Sequence, residues 1–139
     1  MPLKSNDNGA IDRTRLAAWA AKEEKVTVVA ATDAATVQEA ATLAAAGDVV
    51  YTMTPTAART LTTPTGAELG AAFTDEAVGS SFRFTVVNGA AATHAITLTA
   101  GASGVTLGGV AGMATIAAAS SASFVAVFTA ANTVTIYRK

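Results

Sequence analysis

From Phe84 to Tyr137 the chain carries no Asp, Glu, Lys or Arg, although such residues make up 14% of the whole. A segment this long without charge has no ionic coat, so it depends on hydroxyls and on backbone groups paired in regular structure. Its pattern shows how. Phe82, Phe84 and Val86 alternate with Ser81, Arg83 and Thr85, and His94, Ile96 and Leu98 alternate with Ala95, Thr97 and Thr99. Phe124, Ala126 and Phe128 alternate with Ser123, Val125, Val127 and Thr129. Val134 and Ile136 alternate with Thr133, Thr135 and Tyr137. Period two is the signature of strands with one apolar face. Asn88-Gly89, Gly101 to Gly104, Gly108-Gly109, Gly112 and Ala131-Asn132 supply turns between them. The spacing predicts a mainly β fold, an antiparallel β-sandwich or barrel of jelly-roll type, with an N-terminal arm and one or two short helices.

The positions opposite the Phe and Ile residues are mostly Thr, Ser and Ala. Hydroxyls keep such a face wettable and still let it pack closely against protein. Charge near the centre of a symmetric interface is either desolvated or meets its own copy. The uncharged segment therefore reads as a surface made to lie against neighbours.

Upstream the pattern changes, and residues 1–83 hold most of the charge. MPLKSNDNGA is a polar lead-in. In IDRTRLAAWAAKEEK a helix is expected, with Ile11, Leu16, Trp19 and Ala20 near one face. KVTVVAA (25–31) reads as a strand. TDAATVQEAATLAAAG (32–47) reads as a helix capped by Thr32 or Asp33 and ended by Gly47, with Val37, Ala40, Leu43 and Ala44 on its apolar face, although its Ala/Thr alternation also fits a flat strand. Two short strands are expected around Pro55. A short helix follows, opened by Thr65 and Glu68 at capping-box spacing. This divides the chain into an arm with helical segments (1–50) and a β-rich domain (51–139).

Composition limits the core and the partners. Of 139 residues 35 are alanine, and aromatics are only 6%. Alanine buries little area, and burial stabilises by about 25 cal/mol per Å² of apolar surface. A thin core of this kind is expected to be reinforced by self-association. There is no cysteine, which excludes disulfides and thiolate metal sites. The net charge is -1 with no basic run, so no nucleic-acid partner is expected. The opening residues lack the apolar stretch of a secretory signal, and no run of 18 bulky apolar residues occurs, so no membrane partner is expected.

No constellation for catalysis or for a cofactor emerges. His94 is the single histidine, in phase with Ile96 and Leu98, and is expected to point inward or into an interface and to be hydrogen-bonded there; it has no neighbouring nucleophile or second metal ligand. Asp75 and Glu76 are adjacent carboxylates, and neighbours in sequence point apart more often than together. Arg83 is either an exposed strand residue or the partner of Asp75 or Glu76 across an interface. GASGVTLGGVAG lacks the Lys-Ser/Thr ending of a phosphate loop. The T-x-T pairs Thr52/Thr54, Thr97/Thr99 and Thr133/Thr135 do not recur at a fixed period.

Three motifs carry a family resemblance: VGSSFRFTVVN (Val78 to Asn88), TLTAGASGVTLG (Thr97 to Gly108), and NTVTIY (Asn132 to Tyr137). Together with the Thr-Pro-rich lead-in from residue 58, they resemble a module of tailed-bacteriophage structural proteins, found in capsid cement or decoration proteins, head fibres and tail-associated proteins. In that module the second motif forms a hairpin. Ser80 stands where the family often has Asp, and GGVAGMATIAAASSAS departs from the pattern. The resemblance implies a non-enzymatic virion protein on the capsid surface, a homotrimer binding the major capsid protein and stabilising the head. A fibre or tail-associated receptor module that binds glycan is the alternative. Leu16, Trp19, Arg83 and Tyr137 are the candidate partner-binding residues. Trp19 either anchors the arm on a partner or packs on its own domain.

Overall fold

The computed structural model describes residues 24–74 and 77–139. The helix expected in 11–25, with Leu16 and Trp19, therefore lies almost wholly outside the described residues, as do Asp75 and Glu76. The elements in chain order are β1 (Val26–Ala30), β2 (Thr36–Val37), α1 (Ala40–Ala44), β3 (Asp48–Met53), β4 (Arg59–Thr62) and α2 (Gly66–Ala72). They continue with β5 (Ser81–Asn88), β6 (Ile96–Thr99), β7 (Val105–Leu107), β8 (Thr115–Ile116), β9 (Ser120–Ala130) and β10 (Thr133–Arg138). The fold is mainly β, with two sheets and two short helices. One sheet has the order β1-β3-β5-β9-β10-β7 and the other β2-β4-β6-β8. No helix among the described residues is long and apolar enough to cross a membrane.

Strand direction is mixed rather than uniformly antiparallel. Five of the eight pairings are parallel, and β5–β9, β9–β10 and β6–β8 are antiparallel. The cause is the route of the chain. From β1 to β6 it alternates between the two sheets, and each return lays a strand parallel to the one a turn earlier: β1, β3, β5 in the large sheet and β2, β4, β6 in the small one. The first six strands wind like a short solenoid. Reversal comes only with β8 and the β9–β10 hairpin, whose turn includes Asn132 at φ 54. Position 50, the expected domain boundary, falls inside β3, and β1, β2 and α1 pack with the sheets on either side of it.

The stretch 32–47 forms less helix than its composition predicts. Only Ala40–Ala44 is helical, opened by Glu39 with no side-chain cap. Asp33 does not cap it, because Asp33 binds Arg59 and Thr56 instead. Thr36 and Val37 pair with Leu61 and Thr62 of β4, which leaves Val37 exposed rather than on a helix face. Here pairing with a neighbouring strand outweighs the helix propensity of alanine. The capping box at α2 forms as expected: the Thr65 hydroxyl accepts from the Glu68 amide at 3.3 Å, and the Glu68 carboxylate accepts from the Thr65 amide at 2.8 Å. The Thr65 amide, and the Thr65 hydroxyl at 2.9 Å, both donate to the Glu68 carboxylate and hold it below its usual range.

The core lies between the sheets. Phe84 and Phe124 stack with centroids 5.1 Å apart, and Tyr51 meets Phe84 edge-on at 6.4 Å. Phe73, at the end of α2, stacks on Phe82 at 4.8 Å and meets Phe128 edge-on at 5.6 Å, which fixes the helix to the large sheet. The alternation read for β5, β9 and β10 holds throughout. Asn88, expected at a turn, instead closes the core. It is 1% exposed, donates to the His94 and Ile116 carbonyls at 3.0 Å each, and accepts from the Ala90 amide at 3.0 Å.

Candidate interaction surface

The outward positions of the large sheet form ranks that run across its strands. Val26, Asp48, Arg83, Val125 and Tyr137 occupy one rank, each in register with the next. Beside it run Val28, Val50, Thr85 and Ser123, and then Ala30, Thr52, Val87 and Ser121. On the other side Ser81, Val127, Thr135 and Thr106 make a further rank. Every one of these side chains is exposed or half-buried. Asp48 and Arg83 are the only charges among them. Thr85 and Ser123 share a hydroxyl–hydroxyl hydrogen bond of 3.0 Å, so the polarity of the face is partly satisfied within it.

Arg83 and Tyr137, which lie far apart in sequence, are thus brought into one rank, separated by Val125. Arg83 is exposed. Among the described residues the ion pair is Arg59 with Asp33, not one at Arg83. Tyr137 is 44% exposed and stands towards the β10–β7 edge.

His94 does not point into the core. It is exposed, at φ 74, in the turn before β6 begins at Ile96. Its carbonyl is held by Asn88, which turns the chain before the strand alternation starts. The motif from Thr97 to Gly108 is not a hairpin either: β6 lies in the small sheet, whereas β7 crosses to the large sheet and runs parallel to β10.

The small sheet presents a second hydroxyl face that sequence spacing did not reveal. Thr60, Thr97 and Thr115 form one rank, and Val37, Thr62 and Thr99 the next. Thr97/Thr99 does have a partner pair, Thr60/Thr62, one turn of the winding earlier. Unequal loop lengths between turns hide that repeat in the sequence. No group of three or more His, Asp or Glu side chains that could hold a metal ion occurs among the described residues.

Comparison of the chain with protein families, with curated proteins and with solved structures finds no match.

Proposed function

We propose that this protein is a non-enzymatic virion structural protein: a capsid decoration protein that associates as a homotrimer on the outer capsid surface and stabilises the head. The observation that carries this reading is the outward face of the large sheet, with Val, Thr, Ser and Ala in register across its strands and only Asp48 and Arg83 charged. Such a face gains by exclusion from water without the cost of desolvating ions. The motif resemblance from Val78 to Tyr137 points the same way.

Scale bears on the mechanism. Six strands about 4.8 Å apart, of 3 to 11 residues at about 3.3 Å per residue, give a face of order 600 Å² in projection. Standard interfaces bury about 800 Å² per partner. Accessible surface exceeds such a projected area, so the face is of the size one interface needs, and the arm, with Leu16 and Trp19, would add contact with neighbouring subunits and the major capsid protein. Clamping across subunits opposes the outward pressure of packaged DNA.

The test mixes purified protein with expanded, empty capsids and images them by negative stain, with light scattering on the free protein. Saturable decoration at the capsid symmetry axes and a trimeric mass are expected. Val50→Lys, which places a cation in the middle of the face, should abolish both. A monomeric protein that leaves capsids bare removes the reading.

A further inference from the structure

The winding of the first six strands has an open end. β1 ends the large sheet and β2 ends the small one, and no strand among the described residues lies beyond either. Side chains that turn towards the core are covered less well there than one strand further in. Thr27 and Val29 are half-buried, whereas Val49 and Tyr51, their register partners on β3, are 0% and 3% exposed. The amides and carbonyls of Val26, Val28 and Ala30 face the free edge, because Lys25 and Ala31 turn theirs towards β3. Beside this edge is a cleft of about 270 Å³, lined by Val29, Ala31, Val37 and Tyr51 and by the exposed Glu39. A winding exposes its core at its ends, and a cap with a polar outer side keeps such an end soluble.

We propose that residues 11–23 of the same chain form this cap, as a helix that doubles back from β1 and seats Trp19 in the cleft.

Three observations select this occupant. The first is connection. Glu24 is helical, and only Lys25 separates it from β1. So short a tether presents a helix to the cleft at an effective concentration that a separate partner does not reach.

The second is reach. At about 1.5 Å per helical residue, Trp19 and Leu16 stand about 8 and 12 Å back from Glu24. At about 3.3 Å per strand residue, Val29 stands about 10 Å forward of Val26. A helix antiparallel to β1 therefore brings both apolar residues level with the cleft.

The third is chemistry. Leu16, Trp19 and Ala20 share a helix face at i, i+3 and i+4. The cleft is mainly apolar with one carboxylate, and an indole is an apolar plate with one N–H, for which Glu39 is the acceptor. Its volume lies below the span of free small-ligand sites, about 300–1,000 Å³, and suits a single large side chain. Val37 is 63% exposed at the end of an outward rank that continues as Thr62 and Thr99. A covering helix accounts for an apolar residue where its neighbours carry hydroxyls. The free protein thus holds its arm on its own body, and capsid contact by the arm begins with release.

Trp19 is the single tryptophan, so the emission of the full-length protein reports on it alone. In the free, unaltered protein that emission should be blue-shifted and shielded from acrylamide. Val37→Arg, which sets a charge in the cleft at an exposed position, should abolish the shielding and leave the backbone circular dichroism unchanged. The chain has no cysteine, so Ala20→Cys combined with Val37→Cys gives one defined pair. A short bismaleimide should link that pair within one chain, seen as a monomer band on a denaturing gel. A solvent-exposed Trp19 in the unaltered protein, shielding untouched by Val37→Arg, or links that join two chains would each overturn the assignment. All of this is read on free protein, so it stands or falls apart from capsid decoration.

Discussion

Arg59 Nε lies 2.6 Å from Asp33 Oδ1, tying the loop before β2 to the first residue of β4. Asp33 also accepts from the Thr56 amide and hydroxyl. The pair bridges successive turns of the winding, and it replaces the helix cap that the local sequence suggests.

The Arg59 and Thr56 bonds hold the Asp33 carboxyl well below its ordinary value of 3.8. A depressed native value stabilises the fold above the unfolded-state pKa and loses that effect as pH falls towards the native one. Asp33→Asn should therefore melt below the unaltered protein at neutral pH, with the gap closing as pH drops under about 4. Added salt should narrow it too, because both partners are partly exposed. Thermal melts across pH 2–7 measure this.

Tyr51 behaves in the opposite sense. Burial, with the Glu39 charge adding to it, pushes its hydroxyl from 10.0 up to about 12. Its contribution is present below the unfolded value and is lost as pH rises from about 10 towards about 12. The hydroxyl has no hydrogen-bond partner among the described residues. Tyr51→Phe should flatten the alkaline decline and raise neutral-pH stability by up to about 1 kcal/mol. Denaturant titrations at pH 7 and pH 11 check both effects.

Asn88 serves three backbone groups from inside the core. Asn88→Leu keeps the branched shape, though not the volume, and strands two carbonyls and an amide, so a loss of about 2–4 kcal/mol is expected. Asn88→Asp, which removes the donors alone, should cost nearly as much. Outward Thr97→Ser should change stability by less than about 0.5 kcal/mol. Chemical denaturation separates these cases.

Two glycines should respond very differently to alanine. An added Cβ at Gly66 would lie 1.9 Å from the Asn132 carbonyl oxygen, backbone against backbone, so Gly66→Ala should cost more than about 3 kcal/mol or prevent folding. Gly79 has φ +94 and open space around it. Gly79→Ala should cost about 1 kcal/mol, from strain alone. Expression level and melting temperature report the contrast.

The strands with strict alternation, β5, β9 and β10, could be read from sequence because each buries one side against the other sheet. The capping box at α2 was equally plain, since its chemistry is local. Strand direction was not legible. Alternation fixes which face is buried but says nothing of which neighbour a strand meets, and β7 shows it by leaving its expected hairpin to pair with β10. The alanine-rich stretch 32–47 misled for a related reason: a two-residue strand pairing with β4 decided its course. Arg83 and Tyr137 were singled out separately, and only the register of β5, β9 and β10 makes them one surface.

The winding of the first six strands has a consequence for how such a chain can change over generations. Each circuit leaves the body next to where it entered, so a whole circuit can be duplicated or lost without rerouting the rest of the polypeptide. The hairpin that closes the far side would stay as it is, and variation in length would come in discrete layers.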